Sequence, residues 1–249
     1  MTRLSQPLTK RQGELLTVII EEYTRSCTPV GSKMLADKTG HQVSPATIRN
    51  DLVALEAAGM LTHPHTSAGR VPTHVGYQWY VDRQPMAYHL SKRDCLTLRT
   101  LFAPSQRDQV KFLAKRLSEL SDACALVGFS ASDVYYTGLS NLLAQPEFRN
   151  YDFSYSISLV IDHLDETLQE IFSRVSPYAE VQIFLGQRNP FAGDCSAMLV
   201  GFRSFERGRG LLGLLGPVRM DYPRNRALLE YAQQVISTAL PSDAPVGAN

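Results

Sequence analysis

Near the start of the chain, Leu15, Leu16, Ile19, Ile20 and Tyr23 recur at helical spacing and form one apolar stripe. Thr9 stands ahead of the stripe with Gln12 three residues on, the spacing of a capping box. Thr28-Pro29-Val30-Gly31 reads as a turn. Ser32 then caps a short second helix through Met34 and Leu35, which Gly40 ends. Ser44-Pro45 opens a third helix, with serine at the N-cap and proline at the first helical position. Gly59 stands where a left-handed residue would close it. Met60–His63 and Arg70–Pro72 read as two short strands around the polar loop Pro64-His65-Thr66-Ser67-Ala68-Gly69. Three helices followed by a two-stranded hairpin is the order of a winged helix-turn-helix.

The stretch Arg83-Gln84-Pro85-Met86-Ala87-Tyr88 breaks the pattern and reads as a linker. Beyond it, Ser91 with Asp94 and Ser105 with Asp108 mark two more helix starts. The second of these helices carries Val110, Leu113, Leu117 and Leu120 on one face. Ala123–Phe129 reads as a buried strand. Residues 157–175 read as one amphipathic helix built on Ile157, Val160, Ile161, Leu164, Leu168, Ile171 and Phe172. Glu180–Leu185 is a further strand, Met198–Phe205 and Gly210–Leu215 a hairpin, and Arg224–Leu240 a last helix. The expected class is α+β. The expected organisation is a DNA-binding domain over 1–83, a linker over 84–90, a sheet-and-helix domain over 91–240, and a disordered tail over 241–249.

Composition narrows the function classes. The 249 residues are 44% hydrophobic and 20% charged, as in a folded chain. A net charge of +1 gives no global field for a polyanion, so a nucleic-acid site must arise from local arrangement. Residues 1–83 carry nine Lys/Arg against seven Asp/Glu, and the remaining 166 carry sixteen against seventeen. No apolar run is long enough for a transmembrane helix, and the first residues lack the apolar core of a signal peptide. No membrane partner is expected, and the location is expected to be cytoplasmic. The cysteines at 27, 95, 124 and 195 form no CxxC pair and read as reduced core thiols. His63, His65 and His74 have no carboxylate or cysteine placed to complete a metal site, so neither metal nor cofactor is expected. Gly213, Gly216 and Pro217 lack the order of a phosphate-binding loop, and no Gly-rich nucleophile turn is present, so no enzyme is expected.

The third helix is informative at the level of its faces. At about 100° per residue, Ile48, Leu52 and Leu55 point together and define the buried side. Ala46, Asn50, Val53 and Ala57 point the other way, with Thr47 and Arg49 on the shoulders. Near the helix N-terminus the exposed residues are therefore Ser44, Ala46, Thr47, Arg49 and Asn50. Asparagine can bond adenine N6 and N7 together, arginine can grip guanine or a phosphate, and alanine or a threonine methyl can touch thymine. A mixed polar surface helix would share several of these residues, but Ala46, Val53 and Ala57 suit a face that meets another surface closely. In the loop, His65, Thr66, Ser67 and Gly69 are small or polar enough for a wing tip, and Arg70 supplies a cation for phosphates.

Several motifs together resemble one family. They are Pro29-Val30-Gly31-Ser32, Val43-Ser44-Pro45-Ala46-Thr47-Ile48-Arg49-Asn50-Asp51-Leu52 and His63-Pro64-His65-Thr66-Ser67-Ala68-Gly69-Arg70-Val71-Pro72-Thr73. Downstream, Tyr136-Thr137-Gly138-Leu139-Ser140-Asn141-Leu142-Leu143 and Gly213-Leu214-Leu215-Gly216-Pro217-Val218-Arg219-Met220-Asp221-Tyr222-Pro223 continue the match. The chain resembles HrcA, the bacterial heat-inducible transcription repressor. The resemblance implies a homodimer on a double-stranded inverted-repeat operator, called CIRCE, ahead of chaperone genes. It also implies that the chaperonin GroEL keeps the repressor competent.

The chain departs from the family in its middle. Val127-Gly128-Phe129-Ser130 runs after five residues into the Tyr136 motif, where the family carries further strands and an inserted dimerisation domain. The C-terminal segment is thus expected to be a reduced GAF-like domain. A dimer is expected through it, by way of the helix 157–175, the 198–215 hairpin edge or the Gly216–Tyr222 segment. The alternative reading is a ligand-sensing winged-helix regulator whose GAF-like domain binds a small metabolite.

Overall fold

The computed structural model describes residues 7–38, 44–64, 69–83, 87–99, 105–130, 132–149, 151–172, 180–186, 189–191, 195–203 and 208–238. The chain forms two compact units, one of residues 1–85 with 218–221 and the other of 86–217 with 222–249. The expected tail over 241–249 lies outside the described residues.

The first unit is built by its caps. Helix α1 (Lys10–Ser26) begins at Thr9, whose hydroxyl accepts from Gln12 N at 3.3 Å while Gln12 Oε1 accepts from Thr9 N at 3.0 Å. Both arms of the capping box are therefore made. The helix ends at Cys27 in the left-handed region, φ 51°. Its buried face is Leu15, Leu16, Ile19 and Ile20, with Glu22 drawn in beside Arg25 and Lys38. Helix α2 (Ser32–Lys38) buries Leu35 and Ala36. Helix α3 (Pro45–Ala57) starts from Ser44, whose hydroxyl accepts from Thr47 N. Strands β1 (Leu61–Thr62) and β2 (Val71–Pro72) pair antiparallel, Leu61 opposite Pro72 and Thr62 opposite Val71.

A fourth helix, α4 (His74–Arg83), completes the unit. The sequence pattern did not indicate it, because an internal glycine and scattered aromatics give no clean stripe. Gly76 is there for contact: a Cβ on it would lie 2.4 Å from the Met60 carbonyl oxygen. Thr73 caps this start, accepting from Gly76 N at 3.2 Å and donating to the Gly59 carbonyl.

In the second unit, α5 (Lys92–Arg99) and α6 (Gln106–Ser121) are capped as the spacing predicts, by Ser91 to Asp94 N and Ser105 to Asp108 N. An antiparallel sheet of five strands follows. The strands are β3 (Cys124–Ser130), β4 (Asp133–Thr137), β5 (Gln182–Leu185), β6 (Cys195–Phe202) and β7 (Gly210–Pro217), in spatial order β4-β3-β7-β6-β5. Residues of β6 and β7 are buried throughout. Helices therefore cover both faces of the sheet. On one side lie α6 and the last helix, α10 (Tyr222–Thr238). On the other lie α7 (Leu139–Leu143) and α9 (Leu164–Phe172), with α8 (Tyr151–Asp162) adding Ile157 and Val160 to the same core as Leu126, Leu199 and Leu215.

Four expectations need correction. The helix expected over 157–175 is two helices, beginning earlier at Tyr151 and broken at His163. Strand β4 was missed because it is a half-buried edge whose Tyr136 faces solvent, so it lacks a continuous apolar signal. The 198–215 hairpin offers no free edge: β7 sits between β3 and β6, and β6 between β7 and β5. Of the cysteines, only Cys124 and Cys195 are core thiols, while Cys27 and Cys95 are partly exposed. Burial pushes the Cys124 thiol up to about 12.

Candidate nucleic-acid interface

The faces of α3 fall where the helical angles put them. Ile48, Leu52 and Leu55 are buried, and Ala46, Arg49, Asn50, Val53, Ala54 and Ala57 are exposed. Ser44 is exposed but its hydroxyl also lies 2.9 Å from Thr47 Oγ1, so both hydroxyls are engaged in the cap and Thr47 is only half-exposed. Arg49 and Asn50 are exposed and make no side-chain hydrogen bond or ion pair with another described residue.

The acids of α3 are both held off this face, which the sequence did not reveal. Asp51 follows Asn50 directly yet is buried, and Arg11 of α1 donates to it through Nε at 2.7 Å and Nη2 at 3.0 Å. The bidentate geometry fixes the rotation of α3 on α1 as well as neutralising the charge. Hydrogen bonding to Asp51 in turn raises the pKa of the Arg11 guanidinium. Glu56, a turn further on, accepts from Arg70 Nε at 3.0 Å and lies 3.4 Å from His63 Nε2. A link of this kind, 40 residues apart for Arg11 and Asp51, has no local sequence signal.

That network changes the reading of the wing. Arg70 was expected to face phosphates, but its side chain is only 18% exposed and is held by Glu56 and His63. Its backbone pairs with Val30 in both directions at 2.9 Å. A guanidinium can only donate, so His63 Nδ1 accepts from Arg70 at 3.0 Å and the ring proton sits on Nε2, toward Glu56. Arg70 is thus placed as the anchor that ties the wing to the end of α3. Gly69 is likewise placed by packing rather than at a tip. It is buried, and a Cβ there would lie 2.8 Å from the Pro29 carbonyl carbon. His65, Thr66 and Ser67 lie outside the described residues. Among the described residues, no three His, Cys, Asp or Glu side chains gather as a metal site, and no helix is long and apolar enough to cross a membrane.

A capped helix with an acid-free exposed face, tied by ion pairs to a short hairpin, is the layout of a winged-helix DNA-binding module joined to an α+β domain. The comparisons with known proteins agree. Residues 7–85 match the model of the winged helix-turn-helix transcription repressor HrcA DNA-binding domain, and residues 87–225 match the HrcA C-terminal domain. The chain belongs to the HrcA family of heat-inducible transcription repressors.

The heat-inducible transcription repressor HrcA of Thermomicrobium roseum is 26% identical over 338 residues, covering 94% of this chain and 96% of that protein. With 249 residues here, at least 89 of those positions have no counterpart. The repressor HrcA of Cutibacterium acnes is 46% identical over 100 residues, covering 40% of this chain and 26% of that one. A crystal structure described as a hypothetical protein superposes with a TM-score of 0.74 at 17% identity, over 93% of this chain and 98% of that one. That likeness shows the shared fold.

Proposed function

We propose that this protein represses transcription by binding, as a homodimer, a double-stranded inverted-repeat operator of the CIRCE type ahead of chaperone genes in the cytoplasm. The observation that carries the reading is the α3 face. Arg49 and Asn50 are exposed and unengaged, while both acids of the helix are neutralised by Arg11 and Arg70. Such a face can enter a major groove without bringing negative charge to the phosphates. Asn50 reads adenine, Arg49 takes guanine or a phosphate, and Ala46 lies against a base edge. Ser44 and Thr47 hold the helix N-terminus in place. Residues His65, Thr66 and Ser67 supply the wing tip, with Gly69 and Arg70 positioning it.

Family membership supports regulation by heat, and the resemblance extends the reading to dependence on the chaperonin GroEL. Footprinting the purified protein on DNA upstream of its own gene, with and without chaperonin, tests the whole reading. Two symmetric protected half-sites, strengthened by chaperonin, are expected. Binding no tighter than to random duplex would reject it. A thermal shift on addition of small metabolites, with no chaperonin effect, would favour a ligand-sensing regulator instead.

A further inference from the structure

Val53 is an anomaly on α3. It is 58% exposed, on the same face as Ala46, Asn50 and Ala57. A β-branched residue on the solvated side of a helix is a weaker helix former than the alanine at its neighbours Ala54 and Ala57. More than half of its surface meets solvent, so burial offsets little of that cost. A single exposed apolar residue is ordinary on a protein surface. This one, however, sits within about 60° of Asn50 around the helix. The acids that would make that surface unfit for DNA are buried or paired, Asp51 with Arg11 and Glu56 with Arg70.

We infer that Val53 is a specificity-determining residue that packs against the 5-methyl group of a thymine in the operator half-site. The inference rests on the proposal that α3 is the groove-reading helix. Thymine is the only base that presents a methyl group in the major groove, and an apolar side chain is what distinguishes it there. The position follows from the rise of the helix. Val53 lies three residues beyond Asn50, about 4.5 Å along the axis, and one base-pair step is about 3.4 Å. The thymine therefore stands one or two base pairs from the base that Asn50 reads. Ala46, seven residues earlier on the same face, is too short to reach the same methyl.

The test uses the full-length protein and its footprinted site. Each thymine of one half-site is replaced in turn by deoxyuridine, which removes only the methyl group. At one thymine the parent should lose affinity by about 3- to 10-fold, the worth of one buried methyl or slightly more. The Val53→Ala protein should start weaker on the intact site and lose nothing further at that thymine. Alanine raises helix propensity at an exposed position, so Val53→Ala should melt no lower than the parent. If deoxyuridine costs the parent and Val53→Ala the same factor at every thymine, Val53 does not read a methyl, while the groove-reading role of α3 stands. If Asn50→Ala also leaves the footprint and its sequence preference unchanged, α3 is not the reading helix and both proposals fall together.

Discussion

Asn50 carries the sharpest expectation at the scale of single residues. Its amide is exposed and unengaged, so truncation removes a potential base contact without disturbing the fold. Asn50→Ala should weaken operator binding by about 1–3 kcal/mol and relax preference at one or two positions per half-site. Competition of the variant and the parent between operator and mutated operators checks this, and equal preference would show the helix to be out of register. Glu22 makes a different case. Hydrogen bonds from Lys38 and then Arg25 hold its carboxyl below the usual glutamate range. A lowered folded value means that its contribution is present at neutral pH and lost as pH falls below about 4. Glu22→Gln should therefore lower the melting temperature at pH 7, and the gap to the parent should close in acid. A gap that is constant with pH would assign the loss to packing alone. The residues legible in the sequence were those governed by helical angle, such as Ile48 and Asn50. Those governed by tertiary partners, Asp51 with Arg11 and Arg70 with Glu56 and His63, were not.

At the scale of elements, caps were the most readable signal, because a hydroxyl and an amide three residues apart are both local. Helices α1, α3, α5 and α6 all start where Thr9, Ser44, Ser91 and Ser105 place them. Helix α4 and strand β4 escaped because one takes its form from Gly76 against Met60 and the other is a half-exposed edge. The wing was legible as a hairpin, but not the way it is held. Glu56 bridges Arg70 and His63, one on each side of the hairpin, and so couples the end of α3 to the wing. Arg70→Ala should cost about 1–2 kcal/mol of stability, since it leaves a half-buried Glu56 without its cation. Specific binding should fall with it, while the salt dependence of binding stays close to that of the parent. A salt slope reduced by about one with an unchanged melting temperature would instead mean that Arg70 contacts a phosphate.

At the scale of the whole molecule, the alternation of caps and buried strands was enough to read an α+β chain, and the motifs were enough to read its family. A winged helix reads a few base pairs, and an inverted repeat needs two of them at a set spacing. The Thermomicrobium roseum relative carries at least 89 positions that this chain lacks, so the homodimer proposed above would have to form from what remains. Two of the expected surfaces are closed, since the 198–215 hairpin lies inside the sheet and Ile157, Val160, Leu164 and Leu168 point into the core. The outer side of α8 is open. Tyr151, Tyr155 and Leu159 recur every four residues at 79%, 54% and 42% exposure, and the two tyrosine rings stack 6.3 Å apart. Aromatic residues concentrated on one exposed ridge are typical of an interface core. The full-length protein should therefore sediment as a dimer at micromolar concentration. Tyr151→Glu with Tyr155→Glu should shift it to monomer and weaken binding to the inverted repeat more than to a single half-site. Residues 1–83 alone should be monomeric and bind weakly. A full-length chain that stays monomeric yet holds the inverted repeat tightly would overturn the dimer.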